Sequence, residues 1–133
     1  MTRVRPYNSH DYSLVSAWWK EHGFPSMPEH KLPPFGFVVE VDGIPMGASW
    51  AYMCNGGTGV AMLEWTVSNP GGGFTAARSI KELLTFMVEQ LNMLGYDVIM
   101  TATKHSGLIK LMEKVGFQTT DSGVTHLLNI KTS

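Results

Sequence analysis

The chain has 133 residues, of which 44% are hydrophobic and 16% are charged, and its formal net charge is −1. This length predicts a single domain spanning residues 1–133, with enough apolar side chains for a core of ordinary size. The near-neutral charge argues against a protein that binds the nucleic-acid backbone. Because Cys54 is the only cysteine, no disulfide can form within the chain, and no apolar run is long enough to cross a bilayer. We therefore predict a soluble cytoplasmic protein.

The first residues predict a short strand followed by a helix. Residues 3–5 alternate in polarity, Asn8 begins a group of helix-capping residues, and Gly23 predicts the end of the helix. The helix carries Trp18 and Trp19 side by side, and neighbouring helix positions do not face the same way. We expect one of the two to contact the loop that follows or a second subunit, which leaves a homodimer open.

The next segment predicts a loop and three strands. Residues 24–34 contain four prolines and no hydrophobic period, so they form a loop that either covers a substrate or packs over the sheet. Asp42-Gly43 is a strong hairpin signal between two strands, at 35–41 and 44–53. The strand at 60–67 is apolar on both faces, which predicts a central position in the sheet.

A glycine-rich turn at residues 69–73 leads into the strongest helical pattern of the chain, an apolar period that runs through residues 76–94. Thr75 is the predicted N-cap, which leaves the following backbone amides without partners inside the helix. Such an end binds anions, and Arg78 in the first turn would otherwise oppose the helix dipole. The alternative is that Arg78 points into solvent and the glycines only form the turn.

The last third predicts a strand, a helix and a hairpin. Gly95 ends the long helix, and residues 97–101 form a continuous apolar strand of the kind found in parallel pairing. A helix follows at about residues 106–115, with Gly116 as its end signal. Residues 118–130 alternate around a turn at 121–123, which predicts a C-terminal hairpin.

This order of elements resembles the GNAT superfamily of acetyl-CoA-dependent N-acetyltransferases over nearly the whole chain. The most specific match is at residues 96–117, where a buried strand leads into a short helix ending Glu-Lys-Val-Gly-Phe, and residues 63–70 look like the fourth strand of the family. The resemblance implies a single-domain α/β fold with a mixed sheet of about seven strands flanked by helices. It also implies that the fourth and fifth strands diverge around the pantetheine arm of acetyl-CoA, with the pyrophosphate at the following helix N-terminus.

The chain departs from the family pattern at several motif positions. The family's pyrophosphate loop reads Arg/Gln-x-x-Gly-x-Gly/Ala, and here Phe74 replaces the leading residue while Ala77 and Ser79 stand where glycines are usual. The family's frequent asparagine and tyrosine fall on His105 and Met112, and Met112 cannot donate a proton. Divergent GNAT-like proteins of bacteriophages look similar in these losses. The resemblance therefore implies either a transferase acting on an amine of a small molecule or protein, or an inactive GNAT-fold binding or structural protein. A phage-encoded relative is one interpretation of the second alternative.

Two side chains are the predicted catalytic candidates. Glu64 lies within an apolar strand, where burial would raise its pKa and suit it to act as a general base, unless it lies at a sheet margin or pairs with an arginine. His105 follows the fifth strand and serves as acid, base or adenine neighbour, or else as a capping or surface histidine.

The remaining site predictions concern the cofactor and metals. The predicted cofactor-binding residues are Thr66, Val67 and Ser68 on the fourth strand, Thr75, Ala76, Ala77, Arg78 and Ser79 at the helix start, and Thr101 at the end of the fifth strand. For the fourth strand, the resemblance assigns this role to backbone groups. The five histidines show no metal-ligand spacing, so we predict no metal.

Overall fold

A computed structural model describes residues 1–129 and 131 of the protein. Two short 3-10 turns, Ser9–Asp11 and Glu29–Lys31, accompany the regular elements. The strands are β1 (Thr2–Pro6), β2 (Phe35–Val41), β3 (Ile44–Met53), β4 (Val60–Ser68) and β5 (Val98–Met100). The helices are α1 (Tyr12–His22), α2 (Gly73–Met93) and α3 (Ser106–Val115).

The strands form one mixed sheet in the order β1-β2-β3-β4-β5. The first four pair antiparallel, and β5 runs parallel to β4 because α2 carries the chain across the sheet between them. The predicted hairpin between β2 and β3 is confirmed, with Asp42 at φ 51° and Gly43 at φ 82°. Two left-handed residues form the turn whose twist matches that of paired strands.

The sheet separates two layers of apolar side chains. On the face covered by α2 and α3, called the α2 face, the buried core comprises Val39, Ala51, Ala61, Leu63, Ile80, Leu83, Leu84, Met87, Leu91 and Met112. On the face covered by α1, called the α1 face, it comprises Val15, Trp18, Trp19, Val38, Ala48, Trp50 and Val67. The single-domain α/β arrangement of a mixed sheet flanked by helices is therefore present.

Trp18 and Trp19 are both buried in the α1-face cluster, although neighbouring helix positions do not face the same way. The reason is that α1 lies beneath the proline-rich loop, whose Phe24, Met27 and Leu32 pack against the same cluster. The helix is thus covered on two sides by its own chain. The loop packs over the sheet, as one of its two predicted roles requires.

The long helix begins earlier than predicted. Its N-cap is Gly72 and its first residue is Gly73, so Thr75 is not the cap. The cause is the turn before it, where Asn69 accepts hydrogen bonds from two glycines: its carbonyl from the Gly72 amide at 3.0 Å and its Oδ1 from the Gly71 amide at 2.9 Å. These bonds fix the turn and direct the chain into the helix at once.

The predicted C-terminal hairpin is wrong for the described residues, since 118–129 contain no strand, while Ile130 lies outside them. The sheet therefore has five strands rather than about seven, and β5 is its edge in this part of the chain. In this segment Val124, Leu127 and Leu128 are exposed. The alternation of apolar and polar residues predicted a buried strand face, and these side chains are not buried in the described part of the chain. One consequence is that β4 lies next to the edge, and its Met62 is 41% exposed.

A charged cluster fastens β1 to the start of α1. Arg5 donates to both carboxylate oxygens of Asp11, at 2.8 and 2.9 Å, and to Glu40 at 3.0 Å. Asp11 also accepts from the backbone amide of Asn8 at 2.9 Å. Burial alone would raise the pKa of Asp11, but the hydrogen bonds from Arg5 and Asn8 outweigh it and lower that pKa.

We expect Arg5→Met to lower the free energy of unfolding at pH 7 by roughly 2 to 3 kcal/mol, because it leaves the partly buried Asp11 without its cation and Glu40 with only its longer contact to Arg3. A carboxyl with a lowered folded pKa stabilises the fold above its unfolded pKa of about 4 and loses that contribution as pH falls through the folded value. The difference from wild type should therefore shrink below pH 4 in urea titrations.

Arg3→Met is the matched control for this experiment. Arg3 makes only a 3.8 Å ion pair with Glu40 and its side chain is 67% exposed. Exposed pairs of this kind contribute little to stability. An equal loss of stability in both variants would contradict a special role for Arg5.

Candidate functional site

The central feature of the site is the separation of β4 from β5 beyond a short paired segment, and we call the region between the separated strands the cleft. Pairing between them comprises Val60 with Val98, Ala61 with Ile99 and Met62 with Met100, and then it stops. Strand β4 continues to Ser68, whereas β5 ends at Met100. Residues 63–68 of β4 therefore border a cleft instead of a neighbouring strand. The divergence that the resemblance implied is present.

The closed end of the cleft is held by a side chain. The Thr101 hydroxyl donates to the Leu63 carbonyl at 2.7 Å, just beyond the last strand pair. Thr101 is a predicted cofactor-binding residue, and its hydroxyl is engaged here in joining the two strands where they separate. It positions the closed end of the cleft.

A β-bulge reshapes β4 within the cleft. Ala48 of β3 pairs with Val67 and Trp50 with Glu64, so β4 has one more residue than β3 across this interval. Trp65 within the bulge has φ 63°, a left-handed conformation that is rare for a bulky residue. Its carbonyl is turned toward α1, where it accepts from Trp19 Nε1 at 3.2 Å. Bulges of this kind redirect backbone groups and are common beside active sites.

The open end of the cleft is bordered by the backbone of Ser68. The Asn69 amide donates to the Met46 carbonyl on β3 at 2.8 Å. Backbone direction alternates along a strand, so the N–H and C=O of Ser68 point away from β3, toward the side from which β5 has diverged. The Ser68 carbonyl lies 2.9 Å from Nε2 of His22. Because a carbonyl only accepts, Nε2 carries the proton and donates.

Three aromatic rings meet at this open end, and we call them the ring clasp: His22, Phe24 and His105. Phe24 stacks on His22 with ring centroids 5.0 Å apart and an interplanar angle of 17°. It meets His105 edge-on at 6.0 Å and 83°. His22 comes from the end of α1 and His105 from the loop after β5, so the clasp joins the two sides of the cleft.

The N-terminus of α2 follows β4 directly. The Ala76 amide donates to the Gly72 carbonyl at 3.2 Å. The amides that lack an acceptor among residues 1–129 and 131 are thus those of Gly73, Phe74 and Thr75, so Ala76, Ala77 and Arg78 are not the free donors that we predicted. The error follows from the earlier start of the helix.

The side chains around this helix end divide into three groups. Ala76 and Ser79 are buried, and the Ser79 hydroxyl donates to the Thr75 carbonyl at 2.7 Å, so both belong to the helix packing. Ala77 and Arg78 are exposed, and Arg78 opens onto a shallow groove of about 500 Å³ along α2 that lies away from the cleft. Phe74 is 90% exposed and leaves the glycine turn unobstructed.

Comparisons with known proteins identify the architecture. No family model and no curated protein matches the chain. Among solved structures, the ribosomal-protein-S18-alanine N-acetyltransferase from Escherichia coli is similar with a TM-score of 0.72 at 14% identity, covering 91% of this chain and 80% of that one. Glucosamine-6-phosphate N-acetyltransferase from Arabidopsis thaliana has a TM-score of 0.73 at 9% identity, covering 97% of this chain and 99% of that one. The chain has the GNAT fold.

A third GNAT-fold structure was solved with a cofactor. N-acetylglutamate synthase from Neisseria gonorrhoeae, complexed with coenzyme A and L-arginine, has a TM-score of 0.69 at 14% identity. The match covers 94% of this chain and 29% of that larger protein. Identities this low establish the shared fold and no more.

Within the GNAT fold of this chain, Glu64 lies on the α1 face of β4, opposite Trp50 in the strand pairing. Its side chain is half-buried, and that burial raises its pKa, while the nearby positive charge of His126 lowers it to a smaller degree. No ion pair of the described residues includes Glu64, so the arginine partner considered as an alternative is absent from this part of the chain.

His105 acts as a helix cap, which is one of the two alternatives predicted for it. Its Nδ1 accepts from the Leu108 amide at 3.3 Å at the start of α3. Met112, at the family's tyrosine position, is 3% exposed in the α2-face core. The structure therefore brings Glu64, Ser68 and Thr101 to the cleft and places His105 at its open end.

His22 was not among the predicted site residues, and Phe24 was predicted only as part of the loop that either covers a substrate or packs over the sheet. In the sequence, His22 lies at the predicted end of a helix and Phe24 at the start of a loop. No pattern in the neighbouring residues predicts their contacts with Ser68 and His105. Within the described part of the chain, no helix has the length and apolarity to span a membrane, and no three His, Cys, Asp or Glu side chains converge as metal ligands do.

Proposed function

We propose that the protein is an N-acetyltransferase that transfers the acetyl group of acetyl-CoA to an amine of a small molecule or protein. The observation that carries this proposal is the end of β4–β5 pairing at Met62 and Met100, which opens a cleft leading to the free amides of α2. The fold supports it, since a GNAT-fold structure with coenzyme A is among the similar ones.

The residues present suit the two polar parts of the cofactor. The pantetheine arm carries amides, which match the Ser68 backbone groups turned toward the cleft and, by our proposal, those of Thr66. By the same alternation the backbone groups of Val67 point toward β3, so they take no part in this match. The pyrophosphate is an anion, which matches the free amides of Gly73, Phe74 and Thr75. A Cβ on Gly72 would lie 2.6 Å from the Ala76 Cβ and 2.9 Å from the Met46 sulfur, so only glycine fits this turn.

Acetyl-CoA would supply an activated acetyl group, and Glu64 would accept the proton that the amine loses as its nitrogen bonds to the acetyl carbon. A raised pKa makes this carboxylate a better base than a solvated glutamate. The carbon–sulfur bond would break as the new bond forms, and coenzyme A would leave as a thiolate that takes its proton from solvent. Met112 has no proton to give it, so this chain offers no acid at the family's tyrosine position.

Thermal unfolding tests the proposal most directly. A ligand at one hundred times its Kd stabilises the folded state by about 2.7 kcal/mol, which for a domain of this size raises Tm by about 6 to 10 °C. We expect that shift with acetyl-CoA and no shift with free acetate. Absence of a shift at millimolar acetyl-CoA would overturn the proposal. Binding without turnover on any amine would favour the inactive GNAT-fold binding protein.

A pair of variants at one position tests the pyrophosphate site. Phe74→Pro removes a free amide from the first helical turn without breaking a helix hydrogen bond, because proline is tolerated there. Hydrogen bonds to charged groups are worth about 1.5 to 3 kcal/mol, so we expect acetyl-CoA to bind roughly 10- to 100-fold more weakly. Phe74→Ala removes the same side chain but keeps the amide, and calorimetry should show near wild-type affinity. Equal affinities for the two variants would contradict this role of the amides.

A further inference from the structure

The ring clasp lies where a ligand would enter the cleft. His22 donates to the Ser68 carbonyl, and that carbonyl is one of the β4 backbone groups turned toward the cleft. Phe24 covers the ring of His22 on one side and reaches His105 across the opening. The clasp therefore satisfies the Ser68 carbonyl, an acceptor at the edge of the cleft, and its rings fill the space in front of that carbonyl.

The backbone beneath the clasp is fixed. Gly23 ends α1 in a left-handed conformation at φ 75°, and the Phe24 amide donates to the Trp19 carbonyl at 2.8 Å. These bonds hold the main chain against the end of the helix. Opening of the clasp thus requires only rotation of the His22 and Phe24 side chains, with the loop backbone left in place.

We propose that His22 is a placeholder for an amide of the pantetheine arm, and that the clasp closes the cleft in the free protein. This inference rests on the proposed function. An amide N–H of the arm would form the same hydrogen bond to the Ser68 carbonyl that the His22 Nε2–H forms. The two donors compete for one acceptor, so the arm enters only when His22 has turned away and Phe24 has followed it.

The competition has a measurable size. Releasing the clasp costs one neutral hydrogen bond and one aromatic contact, which together weaken pantetheine binding about 5- to 30-fold. Removing His22 abolishes that cost and leaves the Ser68 carbonyl open to the ligand. Affinity for a ligand that contains the arm should rise, because the binding-competent form no longer has to be generated.

Calorimetry with two ligands tests this inference. We expect His22→Ala to bind coenzyme A about 5- to 30-fold more tightly than wild type, and to bind adenosine 3′,5′-bisphosphate, which lacks the arm, with unchanged affinity. His10→Ala is the matched control, because His10 precedes α1 and its ring forms no hydrogen bond with the described residues. Phe24→Leu should shift coenzyme A affinity in the same direction as His22→Ala, and circular dichroism checks that each variant is folded.

The outcomes separate the two proposals. Coenzyme A binding that is equal or weaker in both folded variants overturns the placeholder role and leaves the transferase proposal standing. A parallel gain for both ligands also overturns it, since the effect would then not belong to the arm. Failure of coenzyme A to bind any variant, wild type included, overturns the proposed function and this inference with it.

Discussion

Glu64→Gln is expected to slow acetyl transfer at neutral pH by two to four orders of magnitude while leaving the Kd for acetyl-CoA unchanged. Glutamine has nearly the same shape but cannot take a proton, and a positioned general base contributes about 10² to 10⁴ in rate. Single-turnover kinetics on an accepted amine measures the loss, and calorimetry measures the binding. Unchanged turnover would remove Glu64 from the mechanism.

The pH dependence gives a second readout of the same variant. Burial raises the pKa of Glu64, so its active, deprotonated form is lost on acidification at a higher pH than for a solvated glutamate. The wild-type rate should fall as pH drops through that raised pKa, and Glu64→Gln should lack this limb. His126→Ala removes a charge that lowers the pKa, so it should move the limb toward higher pH. If the acidic limb of the pH–rate profile persists in Glu64→Gln, it arises from the titration of another group.

Stability distinguishes a base from a structural carboxylate. A carboxyl whose folded pKa is raised binds its proton more tightly in the folded state, so its ionisation destabilises the fold as pH rises through that pKa. Glu64→Gln should therefore become more stable relative to wild type between pH 4 and pH 8 in urea titrations. An ion-paired Glu64 would give the opposite trend.

Local chemistry explains which parts of the fold were predictable. Asn8 caps the first turn with its side chain, Gly23 ends α1 and Gly116 ends α3, and each carries its signal in its own residue type. The helix at 106–115 was confirmed for the same reason. The start of α2 was mispredicted because the deciding residue, Asn69, lies outside the helix and acts through the turn.

The site depends on contacts that local patterns do not encode. Glu64 was a candidate because a charged residue in an apolar strand is visible in the sequence. Its degree of exposure depends on distant parts of the chain, namely where β5 stops pairing with β4 and where His126 lies. His22 meets Ser68 only because α1 crosses β4, and 46 residues separate the two. The missing hairpin shows the same limit, since alternation predicts a strand only where a neighbour pairs with it.

Trp50→Ala is expected to have the largest effect on stability, lowering the free energy of unfolding by about 3 to 5 kcal/mol. Trp50 is fully buried and packs against Tyr7 and Trp19, with ring centroids 5.2 and 5.6 Å away. Its ring lies directly over Gly36, where a Cβ would come within 2.2 Å of the indole Cδ1. The side chain thus fills the centre of the α1 face, and alanine would leave a cavity there.

Trp50→Phe separates the cavity from the polar part of the side chain. The buried indole N–H has no acceptor among residues 1–129 and 131, and an unsatisfied buried donor costs about 1 to 3 kcal/mol. Phenylalanine removes that donor, which partly offsets the packing lost with the smaller ring. The decrease in the free energy of unfolding should therefore be well below that of Trp50→Ala. A Phe variant as unstable as the Ala variant would show that the indole N–H is satisfied in solution.

Gly36→Ala completes a double-mutant cycle with Trp50→Ala. Alone, its Cβ collides with the indole and should destabilise the fold by about 1 to 3 kcal/mol. Combined with Trp50→Ala, the same methyl group enters the cavity and meets no ring. The double variant should therefore be more stable than the sum of the single effects predicts, by at least 1 kcal/mol in urea unfolding. Strict additivity would mean that the ring does not lie over Gly36, which would contradict the packing of β2 against β3 on which the α1 face of the cleft rests.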